Sequence, residues 1–302
     1  MRVVSTVAAF SAALEAARQG SPTVGLVPTM GALHDGHRSL VSRAVAECDV
    51  VAVTIFVNPL QFSEPDDLAR YPRTPRRDLQ ACRDAGADIV FAPTVAEMYP
   101  DWPGPTATTV HVAALGEHWE GAVRPGHFDG VATVVAKLFA MAGRCRAYFG
   151  EKDFQQLAVV RRMVADLSFP VEVVGCPTVR DADGLALSSR NARLTADQRA
   201  AATVLWRALV AGREAVESGQ GSVATVQAAM AAVVGAEAQA DLDYAAVVDA
   251  RDLTAVGRLD EAPLRLLVAA RFGAVRLIDN CAAECRDRSG PRPGALTGSA
   301  RT

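Results

Sequence analysis

Apolar residues fall along this chain in short continuous runs, separated by longer stretches in which they recur every three or four positions. The continuous runs lie at 24–29, 50–57, 89–92, 147–149 and 171–174. Runs of that length without alternation predict strands covered on both faces, as in a parallel sheet. Between them the periodic stretches predict helices around 37–48, 75–86, 129–143 and 153–168. In the last of these Leu157, Val160, Met163, Val164 and Leu167 share one face, and Pro170 closes the helix. The opening stretch MRVVSTVAAFSAALEAARQG reads as a strand and an amphipathic helix, not as a signal peptide. Strand–helix alternation of this kind predicts a doubly wound, Rossmann-like α/β parallel sheet.

After about residue 180 the texture changes. An Ala-rich helix is predicted from Thr195, as N-cap, to about residue 218, and a second over 223–237. Strands follow at 242–249, 265–272 and 275–279. Helices and then strands predict a smaller α+β domain. The division expected is 1–178 for the larger domain and 179–285 for the smaller. The remainder, 286–302, is rich in Gly, Pro and Ser and is expected to be a disordered tail. No internal repeat is visible.

Composition narrows the picture by exclusion. The 302 residues are 50% hydrophobic with a formal net charge of -3. That supports a sizeable core and gives no general electrostatic reason to bind nucleic acid or an anionic membrane. No apolar run approaches the ~20 residues that cross a bilayer, so a cytoplasmic protein is expected. The six cysteines are scattered without a Cys-x-x-Cys pair, which favours reduced structural thiols over a zinc site.

The chemistry sits where strands end. In VPTMGALHDGHRSLV a strand runs into a loop with Gly31 and Gly36, then into a helix beginning near His37. Glycine lets a phosphate approach the backbone, and a helix start offers free N–H groups and a positive dipole end. His34 and His37 then stand near that phosphate, able to donate to oxygens that gain charge. A packed and a solvated histidine, or a His-x-x-His zinc pair, are the competing readings; no further metal ligand lies nearby. In TIFVNPLQF, Asn58 and Gln61 emerge at a strand's carboxyl end, where open α/β sheets bind ligands, although an ordinary polar loop would look the same. In YFGEKDFQQLAVV, Gly150 and Lys152 mark another strand–helix junction, with Asp153 as N-cap and Gln155 and Gln156 in the first turn. In TVRDADGLALSSRNARL a turn precedes Ser188, Ser189 and Arg190, a set suited to a triphosphate.

His34-Asp35-Gly36-His37 resembles the His-x-Gly-His element of the superfamily that holds nucleotidylyltransferases and class I aminoacyl-tRNA synthetases. Together with the other segments, the chain resembles the pantothenate synthetase (pantoate–β-alanine ligase) family to about residue 280. The resemblance implies ATP, taken with Mg²⁺, at Met30, Gly36, Gly150, Lys152, Asp153, Val179, Leu187, Ser188, Ser189 and Arg190. It implies catalytic roles for His34, His37, Lys152 and Arg190. It implies pantoate at Gln61 and Gln156, with Met30 along its apolar side, and β-alanine at Asn58. Glu120, Arg124 and His127 match a loop beside the pantoate site. Tyr71 and Asp78 match as well, but Arg76 and Arg77 stand where relatives often carry acids, so a metal role would pass to Asp78 or be absent. Leu60, Phe154 and Leu187 stand where relatives commonly have a small polar residue, Tyr and Met. The implied reaction is condensation of pantoate with β-alanine through pantoyl adenylate, in a homodimer. The alternatives are a nucleotidylyltransferase that releases an adenylylated product, and a catalytically silent nucleotide-binding module.

Overall fold

The computed structural model describes residues 1–20, 22–63, 65–219 and 221–284. The expected tail at 286–302, and Cys285, lie outside the described residues. The first half alternates as predicted. It runs β1 (Arg2–Val4), α1 (Val7–Ala17), β2 (Val24–Thr29), α2 (Asp35–Glu47), β3 (Val50–Ile55), α3 (Pro65–Arg70), α4 (Pro75–Asp84) and β4 (Ile89–Phe91). There follow α5 (Val95–Met98), α6 (Glu120–Val123), α7 (His127–Ala142), β5 (Cys145–Gly150), α8 (Phe154–Asp166) and β6 (Val171–Cys176). The six strands form one parallel sheet in the order β1-β4-β3-β2-β5-β6. From β2 the chain winds outward one way through β3 and β4, and from β5 the other way through β6. The switch point, where such sheets open a crevice at their carboxyl edge, is therefore between β2 and β5.

Strand alternation explains why the runs are apolar throughout. Leu26, Ala52, Phe91 and Phe149 face a core beneath α1, α7 and α8, whereas Val27, Val53, Val90 and Tyr148 face the layer of α2 and α4. Pairing of β2 with β5 extends only over Gly25 and Leu26. Pro28, which has no N–H to give a ladder, lies beyond it where the crevice opens.

The second half continues with α9 (Ala196–Ala201), α10 (Val204–Glu217), α11 (Val223–Gly235), β7 (Asp241–Asp249), β8 (Leu264–Phe272) and β9 (Val275–Ala283). The last three make a separate antiparallel sheet in that order. Thr195 caps α9 by a reciprocal box with Gln198. The single helix expected up to residue 218 is two helices. At the break the Thr203 hydroxyl turns back onto Ala200 O at 2.8 Å, a local bond that competes with the helical ladder. β8 is buried on both sides: Leu266 and Val268 pack on α10 and α11, and Leu267 joins the core of the large sheet. Among the described residues no helix is long and apolar enough to cross a membrane.

Candidate functional site: the cleft at the switch point

A solvent-open cleft of about 1260 Å³ lies between the carboxyl edge of the large sheet and the segment that follows β6. It gathers Met30, His34, Gly36, His37, Asn58, Gln61, Gly150, Lys152, Asp153, Gln156, Val179, Leu187, Ser188, Ser189 and Arg190 around one volume. Arg124 and His127 front an adjoining cavity that shares Lys152, Gln156 and Arg190 with it. Of the site residues expected from sequence, Asp78 alone lines neither.

Asp78 has a different task. It is buried, and its carboxylate accepts Ala32 N at 3.1 Å, Leu33 N at 2.9 Å and the Thr74 hydroxyl at 3.1 Å. It thus holds the loop after β2, where Gly31 and Ala32 have φ of 82° and 50°. The metal role considered for Asp78 does not fit, because the carboxylate is buried beneath the loop, away from both cavities, and is turned onto backbone N–H groups. Asp67 and Asp153 are likewise paired with cations, and no group of three metal-ligating side chains occurs among the described residues. Arg76 and Arg77 are exposed on α4.

The helix expected to begin near His37 begins at Asp35, with His34 as its N-cap. His34 N donates to His37 Nδ1 at 3.4 Å, so an imidazole occupies the N3 place usual for Glu or Gln. That acceptor role leaves the His37 proton on Nε2. Burial, then the neighbouring His34, pushes the His37 pKa down to about 3; burial and then Lys152 lower that of His34. Both rings are therefore neutral at pH 7, and their centroids are 4.0 Å apart. Gly36 is needed for this pair rather than for backbone torsion. A Cβ there would lie 2.9 Å from His34 Cε1 and Nδ1.

Lys152 and Asp153 occupy a 3-10 turn between β5 and α8. Asp153 stands at the N-cap position but makes no cap bond; its carboxylate accepts Lys152 Nζ at 3.1 Å instead. Burial pushes the Asp153 carboxyl up, but the Lys152 ammonium, with Arg190 behind it, brings the balance below the ordinary carboxylate range. In the next turn the two glutamines part company. Gln156 lines the cleft. Gln155 is buried and fastens the 115–120 loop, donating to Leu115 O and His118 O and accepting from Glu120 N.

The Asn58–Gln61 turn is held from below. Asn58 Nδ2 donates to Gln61 Oε1 and Gly130 O, both at 3.0 Å, and its Oδ1 accepts the Tyr99 hydroxyl at 2.9 Å. With its amide so occupied, Asn58 positions Gln61. His127 Nδ1 donates to Gln61 O at 2.7 Å, and Arg124 Nη1 donates to His127 Nε2 at 3.2 Å. Burial, then Arg124, lowers the His127 pKa to about 4. Gly130, in the first turns of α7, lies so close to the turn that a Cβ would meet Leu60 O at 2.3 Å. Glu120 is taken by Arg276 through two bonds of 2.6 and 2.8 Å, and so links the loop to the small sheet.

The opposite wall is a short hairpin. Leu187 N donates to Val179 O at 3.0 Å, which sets these two apolar side chains beside each other. Ser188 Oγ accepts Arg190 N at 3.2 Å, and Ser189 Oγ donates to Ala32 O. Arg190 and Arg193 converge on Asp67 of α3, at 3.4 and 2.8 Å. The Arg180–Asp279 ion pair, with Arg180 stacked on Trp206, anchors the hairpin to β9.

Neutral imidazole donors, a lysine, an arginine, two hydroxyls and the amino end of a helix, set at the switch point of a Rossmann-like sheet, define a nucleotide-handling α/β protein of the His-x-Gly-His class. The comparisons with known proteins are more particular. The model of the family described as pantoate-beta-alanine ligase matches residues 2–282. A pantothenate synthetase of Roseiflexus castenholzii is 53% identical over 94% of this chain and 100% of its own length. One of Rubrobacter xylanophilus is 54% identical over 86% of this chain and 90% of its own. The crystal structure of pantothenate synthetase from Thermus thermophilus superposes with a TM-score of 0.87 at 52% identity, covering 94% and 100% of the two chains. That of pantoate-beta-alanine ligase from Francisella tularensis, complexed with beta-gamma ATP and beta-alanine, gives 0.75 at 31% identity over 93% and 97%. The chain belongs to the pantoate–β-alanine ligase family. The ligase reading is thereby favoured over the nucleotidylyltransferase alternative.

Proposed function

We propose that this chain condenses pantoate with β-alanine to pantothenate at the expense of ATP. The observation that carries the reading is the single cleft in which an anion-binding set (His34, His37, Lys152, Ser188, Ser189, Arg190) adjoins two amide side chains, Gln61 and Gln156. The pantoate carboxylate attacks the α-phosphorus of ATP, forming an acyl–phosphate bond as the bond to the leaving pyrophosphate breaks. The neutral amine of β-alanine then attacks the acyl carbon, AMP departs with the carboxylate-derived oxygen, and the new amide loses one proton. Without a nucleophilic side chain in these steps, acceleration comes from positioning and charge stabilisation. Neutral His34 and His37 donate to phosphate oxygens as charge moves onto pyrophosphate. Lys152 and Arg190 hold the polyphosphate, Val179 and Leu187 flank the base, Gln61 and Gln156 orient pantoate, and Met30 lines its apolar side.

Mg²⁺ enters as part of the nucleotide substrate, since the engaged carboxylates offer it no protein cage. Residues 1–178 carry pantoate and most of the nucleotide site, while 179–285 close over the nucleotide. Action in the cytoplasm as a homodimer rests on the family resemblance. The decisive experiment is isotope exchange of labelled pyrophosphate into ATP. Exchange that requires pantoate but not β-alanine is expected. Exchange without pantoate, or none until β-alanine is added, would remove the adenylate step.

A further inference from the structure

We propose that Asn280 of β9, braced by Arg265 of β8, is a positioning residue that sets Lys152 for the triphosphate. The proposal rests on the reading above that Lys152 holds that group. The turn bearing Lys152 starts from Gly150 and so has no side-chain cap, and Asp153, at the N-cap of α8, gives its carboxylate to Lys152. Its shape is imposed by the small sheet. Asn280 is buried, and its Nδ2 donates to Glu151 O at 3.0 Å and to Lys152 O at 2.8 Å. Its Oδ1 accepts Arg265 Nε at 2.7 Å. Arg265 reaches the same turn twice more. Its Nη2 donates to Glu151 Oε2 at 3.2 Å, and its Cζ stands 3.9 Å over the ring of Phe154. Burying an amide and a guanidinium between two sheets is costly unless every polar group is met. Here both amide protons of Asn280 and one guanidinium N–H of Arg265 are spent on the backbone and carboxylate around Lys152, while the guanidinium face covers the ring of Phe154.

Asn280→Asp tests this in the full chain, since it keeps size and the bond from Arg265 but cannot donate to the two carbonyls. Single-turnover adenylate formation from pantoate and ATP is measured with the melting temperature. Adenylation should slow about 10- to 100-fold, the scale of a misplacement near 1 Å, with the pantoate KM changed less than about twofold. In a Lys152→Ala background the same change should cost less than about twofold, because its effect passes through the absent ammonium. An equal loss in both backgrounds, or no loss in the wild type, overturns the proposal. If Lys152→Ala alone leaves adenylation and the ATP KM unaltered, the assignment of Lys152 fails first and this inference goes with it. Should the Asp variant not accumulate as folded protein, Asn280→Ser, which retains one donor, carries the same cycle with a smaller expected loss.

Discussion

Gly36→Ala separates the site's chemistry from its stability, because the two should move in opposite directions. Residue 36 is the second residue of α2, where alanine favours helix over glycine by up to about 1 kcal/mol. Nothing in its backbone demands glycine, so the melting temperature should hold or rise. The new methyl, however, would sit 2.9 Å from His34 Cε1 and Nδ1. Restoring an ordinary contact of ~3.5 Å requires the ring to retreat by about 0.6 Å. Its path is limited by His37, whose ring centroid is 4.0 Å away. With about 10²-fold lost per 1 Å of misplacement, adenylation should slow roughly tenfold. Removal of the ring in His34→Ala sets the lower limit, about 10²-fold, as for loss of one preorganised donor. Pantoate-dependent pyrophosphate exchange gives the rate, and calorimetry gives the melting temperature. A variant as fast as the wild type, or one slowed only in proportion to lost fold, would refute the argument that glycine is there for the imidazole.

Two further outcomes follow from the electrostatics. Asp67→Asn should release Arg190 and Arg193 for the triphosphate and lower the ATP KM by up to about fivefold, within the ~1 kcal/mol of a part-exposed pair; a raised KM would show instead that Asp67 places Arg190 usefully. His37 and His127, with pKa values pushed down to about 3 and about 4, stay neutral in the fold while the unfolded chain binds protons below ~6.5. Stability should therefore rise with pH through the window from about 4 to 6.5 and gain nothing from these rings above it, each contributing about 1.4 kcal/mol per pH unit. Denaturant titrations at pH 6 and 5 should show a slope shallower by about that amount in His127→Gln, and an unchanged slope would contradict the assignment.

Much of the molecule is legible in its sequence because it is local. The buried strands announce themselves as uninterrupted apolar runs, and the loops after β2 and β5 combine glycine, charge and a helix start within a few residues. The limits are equally physical. The stretch from Thr195 onward reads as one helix because a threonine hydroxyl turning onto Ala200 O leaves no mark in periodicity. Gln155 and Gln156 are neighbours in sequence, yet a helix turns them about 100° apart, and only one reaches the cleft. Asn58, Arg124 and His127 stand out in sequence as polar residues near the site. Their service to Gln61 does not, since Tyr99, Gly130 and His127 meet the Asn58–Gln61 turn from far along the chain. Asp78 reads as a metal candidate because spacing cannot show the backbone N–H groups it holds. Asn280 escapes notice, although a polar pair within the apolar run of β9 is a signal that could have been used.

The contact between Gly130 and Leu60 O has a consequence for how such a site can change over generations. The floor under Gln61 is locked by backbone touching backbone, where even one methyl would strike a carbonyl at 2.3 Å. Just beyond it on α7, Val131, Val134 and Leu138 present side chains to the same cleft, and these can be exchanged for apolar side chains of similar volume, or of different size where their neighbours repack. Divergence toward a different carboxylic acid would therefore be written on the valine and leucine side. The Gly130 side would keep its shape, and with it the placing of the Gln61 amide.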